Sequence, residues 1–315
     1  MKKEKLFHLL PLMMVAALTF GFAACGDDDD DEGGSGSGNT PTTSNSVLSS
    51  RLKDKDGKAV LLTKCNYISF HYDNGKLVSF GRTDSEDGED LFLIDGMTYK
   101  NAVDPNMVGA PDIIEGRYEL NKDGLISRVS CTFKEIKNPG GILDDSMSGV
   151  YTFKYNNEKQ LTEIKGTSLL YEEYNKDGQL KEKDEAEVTY TLTWKNGNLE
   201  KIDYRASGYE EENGVRQEIN ESRLYMTFTY GDEMNITKQY PDCLYFHLSD
   251  MFEEYEDLSK LGLFGVGPAY FPNGYTRYGE DRQRKTNVSF QLNDNGTIAV
   301  EKQDNWEIKY EYVQL

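Results

Sequence analysis

The sequence predicts an all-β protein, mainly antiparallel, whose strands form one large curved meander. We expect a rolled or barrel-like sheet of roughly twelve or more strands, with one short helix near the C-terminal third. Three observations support this prediction. Apolar and polar residues alternate with a period of two in many short runs, one aromatic hairpin pattern recurs in six copies, and a single stretch has helical spacing.

The alternation places one set of side chains on one face of each strand. In the last run, Trp306, Ile308, Tyr310 and Tyr312 alternate with Glu307, Lys309 and Glu311. The runs from Val188 to Trp194 and from Leu224 to Tyr230 have the same pattern. One apolar and one polar face indicate half-buried antiparallel strands.

The recurring hairpin pattern joins these strands through an Asn/Asp-Gly pair, which tolerates the positive φ of tight turns. Its six copies start at Phe70, Tyr118, Tyr151, Tyr171, Leu192 and Val288, and the copy at Tyr151 lacks the glycine. Each copy predicts two strands. A long antiparallel sheet must curl or close, because twist accumulates and open edges invite aggregation.

Between the hairpins, Thr83 to Asp90 and Tyr209 to Glu218 are strongly charged, and we predict exposed loops there. The helix is predicted from a capping box at Asp250 and Glu253 to a stop at Gly262. Its apolar stripe should pack against one end of the sheet. The apolar, glycine-rich stretch Leu261 to Gly279 should then be tucked against the sheet or line a cavity.

The N-terminus reads as a targeting segment. Residues 1–24 combine lysines with an apolar stretch that ends in small residues, and they predict a lipoprotein signal peptide with Cys25 as the lipidated first mature residue. A membrane anchor is the alternative. Residues 25–50 hold a run of aspartates and a Gly/Ser/Thr segment typical of a flexible tether, and residues 51–315 form a single β domain.

Charge and motifs exclude several functions. With 35 Lys and Arg against 55 Asp and Glu, the net charge of −20 opposes binding to nucleic acid. Nucleophile-elbow, phosphate-loop and zinc motifs are absent from the sequence. We therefore expect no enzyme and no cofactor, although a glycoside hydrolase that uses two carboxylates needs no local motif.

Cysteine and turn patterns point to structure rather than to metal chemistry. Cys65, Cys131 and Cys243 lie in or beside strands, and buried inert thiols are the default interpretation, with at most one disulfide. Four strings that begin at Asp54, Asn121, Asn175 and Asn293 are similar to half of a calcium loop. None has the full ligand set, and turn geometry explains them, so we predict no metal site.

Together, these features resemble a known group. The Cys-Gly-Asp-run start, the aromatic hairpins, the Leu-Gly-Leu-Phe-Gly loop from Leu261 and the final Trp-x-Ile-x-Tyr-x-Tyr strand are similar to Bacteroides-type surface lipoproteins of a domain-of-unknown-function family with a porin-like β fold. This resemblance implies the fold and a surface location, and it implies no catalytic residues. The hairpins alone are also similar to tyrosine-aspartate repeats of bacterial toxins.

We therefore predict a lipoprotein anchored in the outer membrane and exposed on the cell surface, or else facing the periplasm. It would act as a non-catalytic binding module for a glycan, a lipid or a protein, with a structural or adhesion component as the alternative. The candidate ligand-binding residues are Tyr270, Phe271, Tyr275 and Tyr278, which could instead plug the barrel end. Asp145-Ser146-Met147 resembles an O-glycosylation acceptor, and a loop serine at Ser146 is the alternative.

Overall fold

The structure is a computed structural model that describes residues 48–82, 91–101, 113–136, 143–175, 177–244, 258–279 and 283–315. Sixteen strands form a closed barrel in these residues. They are β1 (Val60–Cys65), β2 (Ile68–Asp73), β3 (Lys76–Arg82), β4 (Leu91–Asp95), β5 (Thr98–Asn101), β6 (Ile113–Leu120), β7 (Ile126–Ile136), β8 (Leu143–Tyr155), β9 (Leu161–Tyr174), β10 (Leu180–Lys195), β11 (Asn198–Glu212), β12 (Val215–Met234), β13 (Tyr270–Tyr278), β14 (Gln283–Leu292), β15 (Ile298–Gln303) and β16 (Trp306–Gln314).

The sheet is an antiparallel meander that confirms the predicted fold class. Every strand pairs with its neighbours in the chain, and β1 pairs with β16 to close the barrel. All six predicted hairpins are present. Gly197 in the β10–β11 turn has a φ of 77°, and in the glycine-less copy Lys159 takes the same left-handed region with a φ of 62°.

The inner face of the barrel is apolar and the outer face is polar. On β10, Ala186, Val188 and Tyr190 point inward and are buried, whereas Glu185 and Glu187 are exposed. A barrel that spans a membrane has the opposite arrangement, with an apolar band on its outer face. Alternation therefore buries the core inside the sheet and leaves charged side chains outside.

Because consecutive strands run antiparallel, the turns that join them lie alternately at the two ends of the barrel. One end, which we call the mouth, carries the β1–β2 turn at Asn66, the β11–β12 turn at Asn213 and the β15–β16 turn at Asp304. The other, which we call the closed end, carries the β10–β11 turn at Asn196. It also receives the N-terminal segment from Leu48 and the excursion between β12 and β13.

Residues 258–269, the described last part of the excursion between β12 and β13, pack into the closed end. The Arg51 amide donates to the Leu261 carbonyl, and the Ile126 amide donates to the Leu263 carbonyl. Phe264 is fully buried, with its ring 5.1 Å from that of Phe153. Burying such a ring contributes about 2 kcal/mol. The stretch from Leu258 to Phe264 is therefore part of the core, as the apolar composition from Leu261 predicts.

Most of the predicted helix, including Asp250 and Glu253, lies outside the described residues. Within them, Leu258 and Ser259 are helical, and Gly262 has the positive φ of 73° expected for a helix stop. The predicted loop Thr83 to Asp90 also lies outside. In the described part of the chain, no helix is long and apolar enough to cross a membrane.

The prediction of a loop from Tyr209 to Glu218 is wrong. These residues belong to β11 and β12, which turn tightly at Asn213 and Gly214, both with positive φ. The strands continue here toward the mouth, beyond the apolar core, so both faces carry charged residues and the alternation disappears. The Asn-Gly pair was the signal for a hairpin turn.

Cys65, Cys131 and Cys243 are all buried, in agreement with the default interpretation of inert thiols. Burial raises the pKa of the Cys243 thiol well above its usual value, and nearby Glu301 acts in the same direction. A thiol in this state is a poor nucleophile.

Candidate functional site

A cavity of about 520 Å³ lies on the inner face of β13–β16 at the mouth. Its volume falls within the range of small-ligand sites. The lining residues are Asp242, Cys243, Tyr275, Arg277, Arg284, Thr286, Gln303, Asp304, Asn305 and Trp306.

Strand register brings these side chains together. Tyr275 pairs with Thr286 across β13 and β14, and Arg277 pairs with Arg284. Residues that face each other in an antiparallel pair share one side of the sheet. On the other hairpin, Gln303 pairs with Trp306. The Tyr275 hydroxyl donates to Gln303 Oε1 over 3.1 Å, which links the two hairpins at the cavity wall.

The base of the cavity is held by Glu301, a buried carboxylate on β15. It accepts hydrogen bonds from the backbone amides of Asp242 (2.8 Å) and Cys243 (2.6 Å). It also accepts from the Tyr310 hydroxyl (2.8 Å) and from Gln303 Nε2 (3.0 Å). Glu301 therefore fixes the 3-10 turn Asp242–Leu244 against the barrel wall.

The electrostatics of this base follow from burial. Burial raises the pKa of Glu301, and nearby Asp242 raises it further, whereas the hydrogen bond from Tyr310 favours the charged form. Asp242 itself forms an ion pair with the nearly buried Lys260, with Nζ and Oδ1 3.2 Å apart. The base is a connected polar network whose role is to position the cavity wall.

The cavity combines donors, acceptors and aromatic surface. Its lining contains two arginines and two aspartates, so positive and negative side chains are equal in number, together with the side-chain amides of Gln303 and Asn305. Trp306 stands at the rim with 54% of its surface exposed. Arg277 lies over the Tyr275 ring, 5.8 Å from its centroid. Such a lining can pair with hydroxyl groups, which both donate and accept, and can stack on an apolar ring face.

The structure separates the four aromatic residues predicted as a site. Tyr275 lines the cavity. Phe271 is buried and stacks on Phe290 with ring centroids 4.5 Å apart. Tyr278 pairs with Tyr225 across β12 and β13, with the two rings stacked 4.3 Å apart. Tyr270 lies at the start of β13, where its amide donates to Asn198 Oδ1.

Sequence reasoning missed the other main residues of the cavity. Trp306 was identified only as a strand residue, and Arg277, Arg284 and Gln303 were not singled out. The sequence carried a signal for Trp306, because it starts its strand next to the Asp304-Asn305 turn. The arginines became a pair only through the register of β13 and β14.

Two further predicted features have defined places. Ser146 lies within β8, buried, and its hydroxyl donates to Glu172 Oε2 over 3.3 Å. Three of the strings similar to calcium loops, those that begin at Asp54, Asn121 and Asn175, are turns in which the first residue's side-chain oxygen accepts hydrogen bonds from backbone amides. Asp54 Oδ1 accepts from the amides of Asp56 and Lys58, and Asn121 Oδ1 accepts from those of Asp123 and Leu125.

No family model and no curated protein matches the chain. Among solved structures, the chain is similar to a porin-like protein from Bacteroides vulgatus, with 13% identity, 79% of this chain and 97% of that chain covered, and a TM-score of 0.41. It is also similar to a porin-like protein from Bacteroides uniformis, with 12% identity, 69% and 96% covered, and a TM-score of 0.25. The closed barrel described above is established by its own strand pairing.

Proposed function

We propose that this protein is a lipid-anchored envelope barrel that binds a glycan, without catalysis, in the cavity between β13 and β16. The observation that carries the proposal is the cavity itself, where guanidinium, carboxylate, amide and aromatic groups converge. The lipid anchor is Cys25, and the acidic and Gly/Ser/Thr-rich residues that follow it are the tether; both lie outside the described residues. The predicted tether extends to residue 50, but Leu48 is already buried in the barrel, so the tether ends before it.

The polarity of the barrel supports a position outside the hydrocarbon layer. Apart from Leu180 at its start, the exposed side chains on β10 are charged or hydroxylated, and a charged group facing lipid is costly. A barrel with this exterior needs another means of membrane attachment, which a lipidated Cys25 would supply. We place it on the cell-surface side, with the periplasmic side as the alternative.

A glycan fits the cavity better than a lipid chain does. The lining is mainly polar, and its donors and acceptors are balanced, as the hydroxyl groups of a sugar require. The half-exposed Trp306 offers a flat apolar surface for a sugar ring. An acyl chain would cover these polar groups with apolar surface and offer them no hydrogen bonds, which costs free energy.

Two other functions are distinguishable from this one. A structural or adhesion role would leave the cavity unused and would depend on protein contacts at the outer surface. A hydrolase would need two available carboxylates in the cavity. Both cavity aspartates are engaged, because Asp242 pairs with Lys260 and Asp304 Oδ1 accepts from the Asn287 amide, and this supports a non-catalytic role.

The test is binding of a panel of oligosaccharides to the purified full-length protein, measured by calorimetry. We expect at least one glycan to bind, and we expect Trp306→Ala to weaken its affinity about tenfold, a loss typical of one aromatic stacking contact. Tyr67→Ala is the matched control, since Tyr67 is half-exposed at another turn of the mouth and does not line the cavity.

Three outcomes would contradict the proposal. The panel could give no binding, which would favour the structural role. Trp306→Ala could bind as tightly as the unsubstituted protein, which would move the site elsewhere. Release of new reducing ends during incubation would identify the protein as a hydrolase.

A further inference from the structure

The charges that line the cavity are equal in number, but they are not equally available to a ligand. Asp242 is already used within the protein. Its Oδ1 forms an ion pair with Lys260 Nζ over 3.2 Å, and its Oδ2 accepts from Gln303 Nε2, also over 3.2 Å. Because Lys260 is buried, the negative charge of Asp242 is offset inside the cavity wall.

The second cavity aspartate, Asp304, is held by a residue of the outer face. Its Oδ1 accepts from the backbone amide of Asn287 over 3.0 Å and from Asn287 Nδ2 over 3.2 Å. Asn287 is exposed on β14 between the buried Thr286 and Val288, which point inward. Asp304 therefore ties the β15–β16 turn to β14, and the oxygen that it uses for this contact is not offered to a ligand.

The two arginines of the cavity face each other across neighbouring strands. Arg277 on β13 pairs directly with Arg284 on β14, on the same side of the sheet as Tyr275 and Thr286. Arg284 is exposed and forms no ion pair with any described residue. Like charges directly opposite each other destabilise a pair of strands. This arrangement therefore costs free energy until an anion lies between the guanidinium groups.

We propose that the ligand of this cavity is an acidic glycan, whose carboxylate or sulfate group binds between Arg277 and Arg284. This inference rests on the proposed function and adds the chemical class of the glycan. A neutral glycan would leave the repulsion between the two arginines in place. An anionic group relieves it, because a guanidinium pairs with an oxyanion through two parallel, charge-assisted hydrogen bonds.

The surroundings of the two arginines suit a charged sugar. Residues directly opposite in an antiparallel pair have Cβ atoms about 5 Å apart, so both long side chains can reach one anionic group. The Arg277 guanidinium lies over the Tyr275 ring, 5.8 Å from its centroid, which favours a position beside the cavity wall. Trp306, half-exposed in the same lining, offers a flat surface for the sugar ring that carries the charge.

Charges elsewhere in the mouth direct an anion to the same place. On β10 and β11, the inner face near the mouth carries Glu182, Glu210 and Glu212. These carboxylates disfavour an anion beside them, and at physiological ionic strength their effect is largely screened beyond about 8 Å. An acidic glycan should therefore place its charged group at the arginine pair on β13 and β14.

The test is calorimetry of the purified full-length protein with oligogalacturonates and hyaluronan fragments, which carry carboxylates, and with carrageenan oligosaccharides, which carry sulfates. Each is compared with its own neutral form, made by carboxyl reduction or by desulfation, so that length and linkage stay the same. We expect at least one acidic oligosaccharide to bind about tenfold more tightly than its neutral form, as hydrogen bonds to a charged group imply. The pair that shows this difference distinguishes a carboxylate from a sulfate ligand.

A substitution decides whether the anionic group lies at the arginine pair. Arg284→Gln should weaken binding of the acidic oligosaccharide about tenfold and change the affinity for its neutral form less than about threefold. Because Arg284 is exposed, the melting temperature of this variant should stay the same. Lys285→Gln, on the outer face of the same strand, removes an equal charge and is the matched control, which should bind as the unsubstituted protein does.

Equal affinity for the acidic and neutral forms of every oligosaccharide that binds would overturn this inference and leave glycan binding intact. The same holds if Arg284→Gln binds the acidic form as tightly as before, or if Lys285→Gln weakens it equally. If no oligosaccharide binds, whether acidic or neutral, the proposed function fails and this inference fails with it.

Discussion

Glu301 and Asp184 are both fully buried carboxylates on the inner wall of the barrel, yet their surroundings differ completely. Glu301 accepts four hydrogen bonds, two of them from backbone amides of the turn that starts at Asp242. Asp184 accepts none in the described part of the chain, and Glu210 faces it. Burial raises the pKa of both groups.

The comparison distinguishes a buried carboxylate that holds the structure together from one that has no hydrogen-bond donor around it. Glu301 is compensated within the protein, so its removal leaves donors unsatisfied. Asp184 is uncompensated, so its buried charge destabilises the folded state and no contact within the protein offsets this effect. Stable domains seldom retain such a group. The contrast therefore yields opposite predictions for two substitutions that each remove one carboxylate.

The largest effect is expected for Glu301→Ala. Four donors would lose their acceptor and a cavity would form beneath the 3-10 turn, so we expect the free energy of unfolding to fall by about 3 kcal/mol. Urea denaturation of the full-length protein measures this. Glu307→Ala on the next strand is the control and should leave stability nearly unchanged, because Glu307 is exposed. A loss below about 1 kcal/mol for Glu301→Ala would show that its network is not structural.

Asp184→Asn should act in the opposite direction and stabilise the protein above neutral pH. The folded carboxyl has a pKa of about 7 against 3.8 when unfolded, so the folded state binds more protons between these values. The contribution of Asp184 to stability therefore falls as pH rises from 3.8 to about 7, and this loss is complete above that range.

At pH 8 we expect Asp184→Asn to be more stable by about 2 kcal/mol, less than the full cost of the charge because the buried amide also lacks a partner. Below pH 4 the gain should vanish, since the carboxyl is then neutral in both states. Urea denaturation at pH 4, 6 and 8 measures the trend. Equal stability of the two proteins at pH 8 would mean that Asp184 is compensated after all.

The sequence was sufficient to predict the meander and its hairpins. Asn-Gly pairs and period-two alternation are local signals, and the hairpins at Phe70 and Leu192 follow from them directly. The closure of the sheet into a barrel could not be predicted in the same way. It depends on the pairing of β1 with β16, the two ends of the domain, which no local pattern specifies.

The sites were much less predictable for the same reason. Asp184 lies in a stretch of alternating charges, and only its inward orientation on β10 makes it a buried group. Glu210 was assigned to a loop, because charge on both faces hid the strand. Tyr275 was singled out for its aromatic neighbours, whereas Arg284 and Gln303 reach the cavity through the registers of the β13–β14 and β15–β16 hairpins.

The smallest effect is expected for Glu210→Gln. This substitution tests how much of the raised pKa of Asp184 comes from burial and how much from the neighbouring negative charges. Burial is the largest cause of the raised pKa of Asp184, followed by Glu182 and then Glu210. Glu210→Gln should therefore lower this pKa only slightly and leave it well above 3.8. The carboxyl signal of Asp184 in an NMR titration measures this pKa. We expect stability at pH 8 to rise by about 0.5 kcal/mol, since one like-charge pair across strands is removed. A return of the pKa to 3.8 would show that repulsion dominates, and the comparison with Glu301 would then concern neighbouring charges rather than missing hydrogen bonds.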